Sequence, residues 1–212
     1  MSLTHDQLTA LFTRADGTYF FARWGRPIVP VIFGLEEGSL SLFKGAIEGI
    51  VHLAGHKMAK IDPELGANVM MFFCRSWNEL PLVPNLERLV PDMAGLCQML
   101  TASNANQYKT FRFDAAGAIK AAFVFIRMDE TLEGQDAQGL ALAQAAQVIV
   151  LWSHQAFQAK SSLGLVQNIV VLRPDIGAII QAAYDPTLPA VAYDAAHSLR
   201  LFARVKAKLC AT

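Results

Sequence analysis

The stretch 139–152, GLALAQAAQVIVLW, has no acid or base and is apolar on nearly every face. A surface helix keeps a polar flank, and a helix without one is stable only where protein covers it all round. The rest of the chain must therefore wrap this segment. At 212 residues it is long enough to do so as one domain, 1–212. Leu140, Leu142, Ala143, Ala146, Ile149 and Val150 are the residues expected to be buried.

Elsewhere the apolar pattern is periodic. In 36–55, Leu40, Phe43, Ile47, Ile50, Val51 and Ala54 fall at helical spacing and predict an amphipathic helix. Ser39 or Ser41 suits its start, and Gly55 its left-handed end. Segment 28–33 reads as a buried strand, with Pro30 pointing to a sheet edge or a bulge, and 67–74 as a second short strand. Ser76 with Glu79 has the form of a capping box, and Pro91 suits the first turn of a helix reaching Leu100. Segment 108–113 sets Tyr108, Thr110, Phe111 and Phe113 among polar residues; with 119–128 it predicts a β-hairpin turning at Asp114-Ala115-Ala116-Gly117. Helices are expected over 4–13, 174–184 and 193–209, with an acidic connection over 129–138. These elements predict an α+β fold: a small twisted sheet with a β-hairpin, built from the segments near Ile28, Val69, Phe111 and Val124 and packed against several helices.

The order of strand, hairpin and apolar helix, followed by Val171-Leu172-Arg173-Pro174 and Tyr184-Asp185-Pro186, resembles a family of small bacterial proteins of unknown function. That family has a minimal zincin-like (metalloprotease-like) layout. Its corresponding helix carries acidic or His-Glu residues ahead of a Gln, and Gln144 is the Gln retained here. A zincin needs two metal ligands one helical turn apart and a glutamate beside the first to activate water. Nothing in 139–152 can coordinate zinc. The resemblance, which covers the last two thirds of the chain, thus implies a degenerate zincin-like scaffold without the protease chemistry. Tyr184-Asp185-Pro186 reads as a helix stop, because the residue before a proline leaves the α region and its carboxylate can cap nearby amides.

A chain that is 53% hydrophobic and only 17% charged leaves apolar surface over once its core is filled. Such a surplus favours self-association, most simply a homodimer. Leu199, Phe202 and Val205 on the last helix are the expected contact, with Arg200 and Arg204 at its rim; the basic stripe Arg200, Arg204 and Lys208 otherwise reads as a solvated face. Eighteen basic and eighteen acidic residues cancel, whereas a nucleic-acid binder normally carries a basic surplus. There is no run of about 18 uncharged apolar residues to span a membrane. The opening MSLTHDQLTALFTRADG has no basic leader followed by an apolar stretch. Three widely spaced cysteines, at 74, 97 and 210, suit reduced thiols and a cytoplasmic protein. No cofactor is expected, since the chain has no Gly-rich phosphate loop, dinucleotide turn or Gly-x-Ser-x-Gly elbow.

Two constellations carry candidate chemistry. In Trp24-Gly25-Arg26-Pro27, Trp24 and Arg26 have the make-up of a site for a planar or anionic ligand, since guanidinium pairs well with carboxylate or phosphate. The plainer reading is a turn whose tryptophan packs down. His52 and His56 stand four apart with Glu48 one turn earlier, the spacing of a helical metal or acid/base site. Against that, Gly55 ends the helix and takes His56 off its face; two histidines near a helix terminus also complement the dipole. His154 is a single ligand and not a site. The sequence thus leads to a non-catalytic, self-associating cytoplasmic domain that binds a partner or ligand. The alternative is a hydrolase-like enzyme working around Glu48, His52 and His56.

Overall fold

The computed structural model describes residues 3–210, so the outermost two positions at each end of the expected 1–212 domain lie outside the described residues. A capping box between Thr4 and Gln7 opens α1 (His5–Ala10), which leads to the short strand β1 (Phe21–Ala22). β2 (Pro30–Phe33), α2 (Glu37–Leu53) and β3 (Val69–Cys74) form a crossover whose two strands are parallel. The Ser76–Glu79 capping box starts a 3-10 turn, Trp77–Leu82, before α3 (Leu86–Leu89) and α4 (Met93–Ala102). The expected hairpin follows as β4 (Gln107–Phe113) and β5 (Ile119–Arg127), and then α5 (Glu130–Glu133) and α6 (Ala137–Val148). A second hairpin, β6 (Leu163–Val166) and β7 (Ile169–Leu172), precedes α7 (Pro174–Ala183), β8 (Val191–Ala192) and α8 (Ala196–Cys210).

The fold is α+β. Its main sheet has the order β2-β3-β5-β4, parallel from β2 to β5 and closed on one side by the antiparallel β4. Every residue of β3 is buried, because side chains alternate between two cores. Val69, Met71 and Phe73 join the larger core with α2, α6 and α7, while Met70, Phe72 and Cys74 join a second one with α4 and the 3-10 turn. A strand covered on both faces needs no polar side, which is why 67–74 shows no alternation. Pro30 lies in the outer strand β2, where its missing N–H breaks no ladder.

Most of the apolar helix is buried, with Leu140, Ala141, Ala145, Ala146 and Val148 covered and α2 packed along it, whereas Leu142 and Ala143, also expected inside, are half-buried. Its end differs from the expectation: it stops at Val148, not Trp152. Val148-Ile149-Val150 is a β-branched run with weak helix preference. The chain beyond it makes sheet-like contacts, Val150 bridging Arg23 and the Leu151 N–H donating to the Ala22 carbonyl at 2.9 Å. α2 also starts earlier than a serine cap implies. Glu36 is its N-cap and makes no side-chain bond there, and the Ser41 hydroxyl instead donates back to the Glu37 carbonyl at 3.1 Å. Asp92, not Pro91, sets the start of α4, accepting from the Gly95 N–H at 3.2 Å.

The last helix corrects a further expectation. α8 docks on α7 with Leu201 and Val205 fully buried, so Val205 already serves the intrachain core. Phe202 is half-buried edge-on to His5, and Leu199 alone of the expected contact residues stays exposed. Arg204 is not simply solvated either: its Nε donates to Asp185 Oδ2 at 3.0 Å. Among the described residues, no helix is long and apolar enough to cross a membrane.

Candidate functional site

β4 is an outer strand, so its two faces and one edge are available to build a site. Alternation puts Gln107, Lys109, Phe111 and Phe113 on the face toward α6, and Tyr108, Thr110 and Arg112 on the face toward α4. Along the first face runs a groove of about 490 Å³. Its floor is the β4 row, and its walls come from Phe12, Arg14 and Phe20 and from the turn after α6, with Leu151, Trp152, Ser153, His154 and Phe157.

The aromatic wall is held by its own packing. Trp152 stacks on Phe12 with ring centroids 5.2 Å apart, meets Phe157 edge-on at 5.1 Å, and donates its indole N–H to the Ala146 carbonyl at 2.8 Å. Arg14 lies over the Phe20 ring, 4.4 Å from its centroid. At the Gln107 end, Gln144 Nε2 donates to Gln107 Oε1 at 2.6 Å, while the buried Gln144 Oε1 has no donor.

Lys109 sets the electrostatics. Burial pushes its ammonium down from the ordinary lysine value to about 8, because removal from water disfavours the charged form. Among the described residues no carboxylate pairs with it, and no Asp or Glu lines the groove. The groove thus combines aromatic surface with Lys109, Arg14 and His154 and has no acid in its lining, although Asp16 lies near Arg14 outside it. Chemically it is suited to an anion carried on an apolar body.

The residues singled out in the sequence lie elsewhere. Trp24 is buried in the main core and donates its indole N–H to the Val148 carbonyl at 2.8 Å. Arg26 reaches Glu64 at 3.0 Å and Asp62 at 3.4 Å. Burial alone would raise the Asp62 pKa, but amide bonds from Leu65 and Glu64, with Asn68 and Arg26, outweigh it and hold the carboxyl low. Both residues therefore have internal partners and do not converge on an open cavity. Glu48 and His52 are exposed on α2, whereas Gly55, with φ +66°, turns the chain so that His56 leaves their face. The His56 ring instead bonds the Arg26 carbonyl at 2.9 Å beside Tyr184, and burial holds its pKa below the usual value. Among the described residues, no three His, Cys, Asp or Glu side chains gather as a metal ion would require. Burial pushes the Cys74 thiol up to about 12, which keeps it protonated at neutral pH.

The groove residues Lys109, Arg14, Gln107 and Phe157 were not flagged by motif, yet one signal was present. Strict parity over QYKTFRF places a lysine on the same inward face as Phe111 and Phe113. A charge on the core side of a strand is costly unless something meets it. Searches with this chain matched no family model, no curated protein and no solved structure.

Proposed function

We propose that this chain is a non-catalytic binding domain that holds an organic anion, a carboxylate on an aromatic or aliphatic body, in the groove along β4. The observation that carries this reading is the half-buried Lys109 ammonium, which opens on an aromatic-walled groove and has no carboxylate partner among the described residues. A bound carboxylate would pair with that half-buried charge, and the rings of Phe12, Phe111 and Trp152 would cover the apolar body. The zincin-like layout belongs to the same reading, as a degenerate version. α6 keeps Gln144 behind Leu140, Ala141, Leu142 and Ala143, with no zinc ligand before it. Three free cysteines, two of them buried, fit a reducing, cytoplasmic compartment.

Calorimetry with 2-naphthoate and its uncharged amide tests the proposal. Naphthoate is expected to bind roughly ten- to a hundredfold more tightly, the worth of one charge-assisted bond. Lys109→Met should erase that difference. Affinity for naphthoate should also fall as pH rises past about 8, where the free amine loses its proton. Equal affinities for acid and amide, or no binding of naphthoate, would overturn the reading.

A homodimer is part of the proposal, with a different surface from the one expected on α8. Leu165, Val166 and Ile169 at the tip of the β6–β7 hairpin are 72%, 57% and 61% exposed, a projecting apolar patch on a chain with zero formal net charge. Light scattering at tens of micromolar should give about twice the 23.1 kDa chain mass. A mass that stays at the single-chain value excludes the dimer.

A further inference from the structure

The bonds from β4 to β5 fix which of its backbone groups face away. The Arg127 N–H donates to the Asn106 carbonyl at 2.8 Å, and the register pairs Tyr108 with Phe125 and Thr110 with Phe123. In an antiparallel pair such bonds recur at every second residue. Tyr108, Thr110 and Arg112 therefore turn their amides to β5, while Gln107, Lys109 and Phe111 turn theirs outward. Arg112 closes the far end, its guanidinium donating to the Phe111 carbonyl at 3.3 Å. The outward groups of Gln107 and Lys109 and the Phe111 N–H make no bond to any described loop or helix.

Grooves flank this edge on both faces. Besides the cationic groove toward α6, a second of about 370 Å³ lies toward α4, lined by Val90, Leu96 and Met99 together with the charged Asp92 and Arg112. Tyr108 and Thr110 line both, so the two grooves meet along the outer edge of β4. A strand added there would send successive side chains alternately into one groove and the other.

We propose that the natural ligand is an extended peptide of alternating acidic and aliphatic residues, which adds to β4 as a further strand. This rests on the reading that the groove takes an anion, and it names what carries that anion. Acidic side chains face Lys109, Arg14 and His154, and aliphatic ones face Val90, Leu96 and Met99. Charge argues against a second copy of β4 as the occupant, since self-pairing of QYKTFRF sets side by side two strands that each carry two cations and no acid.

The test uses the full chain and the peptide acetyl-Ala-Glu-Leu-Glu-Leu-Glu-Ala-amide, followed by calorimetry and by hydrogen exchange at the Lys109 and Phe111 amides. The peptide is expected to bind and to slow both amides, and its Glu-to-Lys counterpart to fail. Methylating every second peptide nitrogen in one phase should weaken binding by about tenfold or more, while the opposite phase is tolerated, because only one set of N–H groups faces β4. If the two methylated series bind alike, if the basic peptide binds equally, or if the acidic peptide does not bind while 2-naphthoate does, strand addition is overturned, and the anion groove stands only where naphthoate still outbinds its amide. If neither peptide nor naphthoate binds, both readings fall.

Discussion

Ile149→Asp is expected to leave the protein unfolded or insoluble at room temperature. Ile149 is 1% exposed in the main core, and its carbonyl accepts the Tyr184 hydroxyl at 2.7 Å. An aspartate there would have to hold an unpaired charge away from water, at a cost of more than about 4 kcal/mol. Domain stabilities of about 5–15 kcal/mol leave little after such a loss. The control is Ile149→Val, which removes one methylene from the same site and should cost about 1 kcal/mol. Circular dichroism melts of both variants decide the matter. A soluble Asp variant with an unchanged melting temperature would place this corner of the fold at the periphery.

The contrast between Ile149 and its neighbours also shows what local pattern can and cannot convey. Composition alone required burial from Leu140 to Val150, since burial follows from the lack of any polar face. The β-branched run at 148–150 weakens the helix locally, but its end is fixed by distant groups, the Arg23 bridge to Val150 and the Ala22 carbonyl, which no window of sequence contains. The parallel strands were legible as apolar runs, and Pro30 marked the outer one. The β6–β7 hairpin was not. Its strands are short and expose Leu165, Val166 and Ile169, and its turn uses Gln167 and Asn168 at φ 50° and 65° with no glycine to announce it.

The candidate site was hidden for a related reason. Trp24 and Arg26 stood out by residue type, and Glu48, His52 and His56 by their spacing along the chain. Spacing carries information only if the backbone stays regular between the residues, and Gly55 breaks it for His56. The groove instead joins β4 to Phe12, Arg14 and Phe20 from the start of the chain and to His154 and Phe157 after α6. What sequence did hold was the parity of Lys109 with Phe111 and Phe113. A lysine there also guards an open sheet edge against indiscriminate pairing, because an inward charge must be met before another strand can settle. On the strand-addition proposal, guarding and selectivity are the same property seen from two partners: Lys109 would repel a basic strand and pair with an acidic one.

Acidification from pH 6.5 to 4 is expected to remove about 3 kcal/mol of stability through His197 alone. The ring is fully buried, tilted against Phe21, with Nδ1 bonded to the Tyr19 hydroxyl at 2.8 Å and Nε2 without a partner. Burial, with Arg200 and Arg204 nearby, pushes its pKa from 6.5 down to about 4. The unfolded chain therefore takes up a proton at a pH where the folded one does not, and stability falls as pH drops through that window. Above pH 6.5 both states are neutral at this residue and the contribution is fully present. His56, also lowered by burial, adds to the loss in the same direction. The carboxyls of Asp129 and Asp185, held low by hydrogen bonds and nearby arginines, keep their charge in the folded state until the pH falls below the ordinary aspartate value of 3.8. Their share of acid unfolding therefore comes later. Urea midpoints at pH 7, 6, 5 and 4 should fall steadily for the parent chain and more gently for His197→Gln, which keeps a polar partner for Tyr19 but cannot titrate. Parallel pH slopes for the two proteins would show that His197 is not the group being protonated, as would an NMR titration of its ring near 6.5.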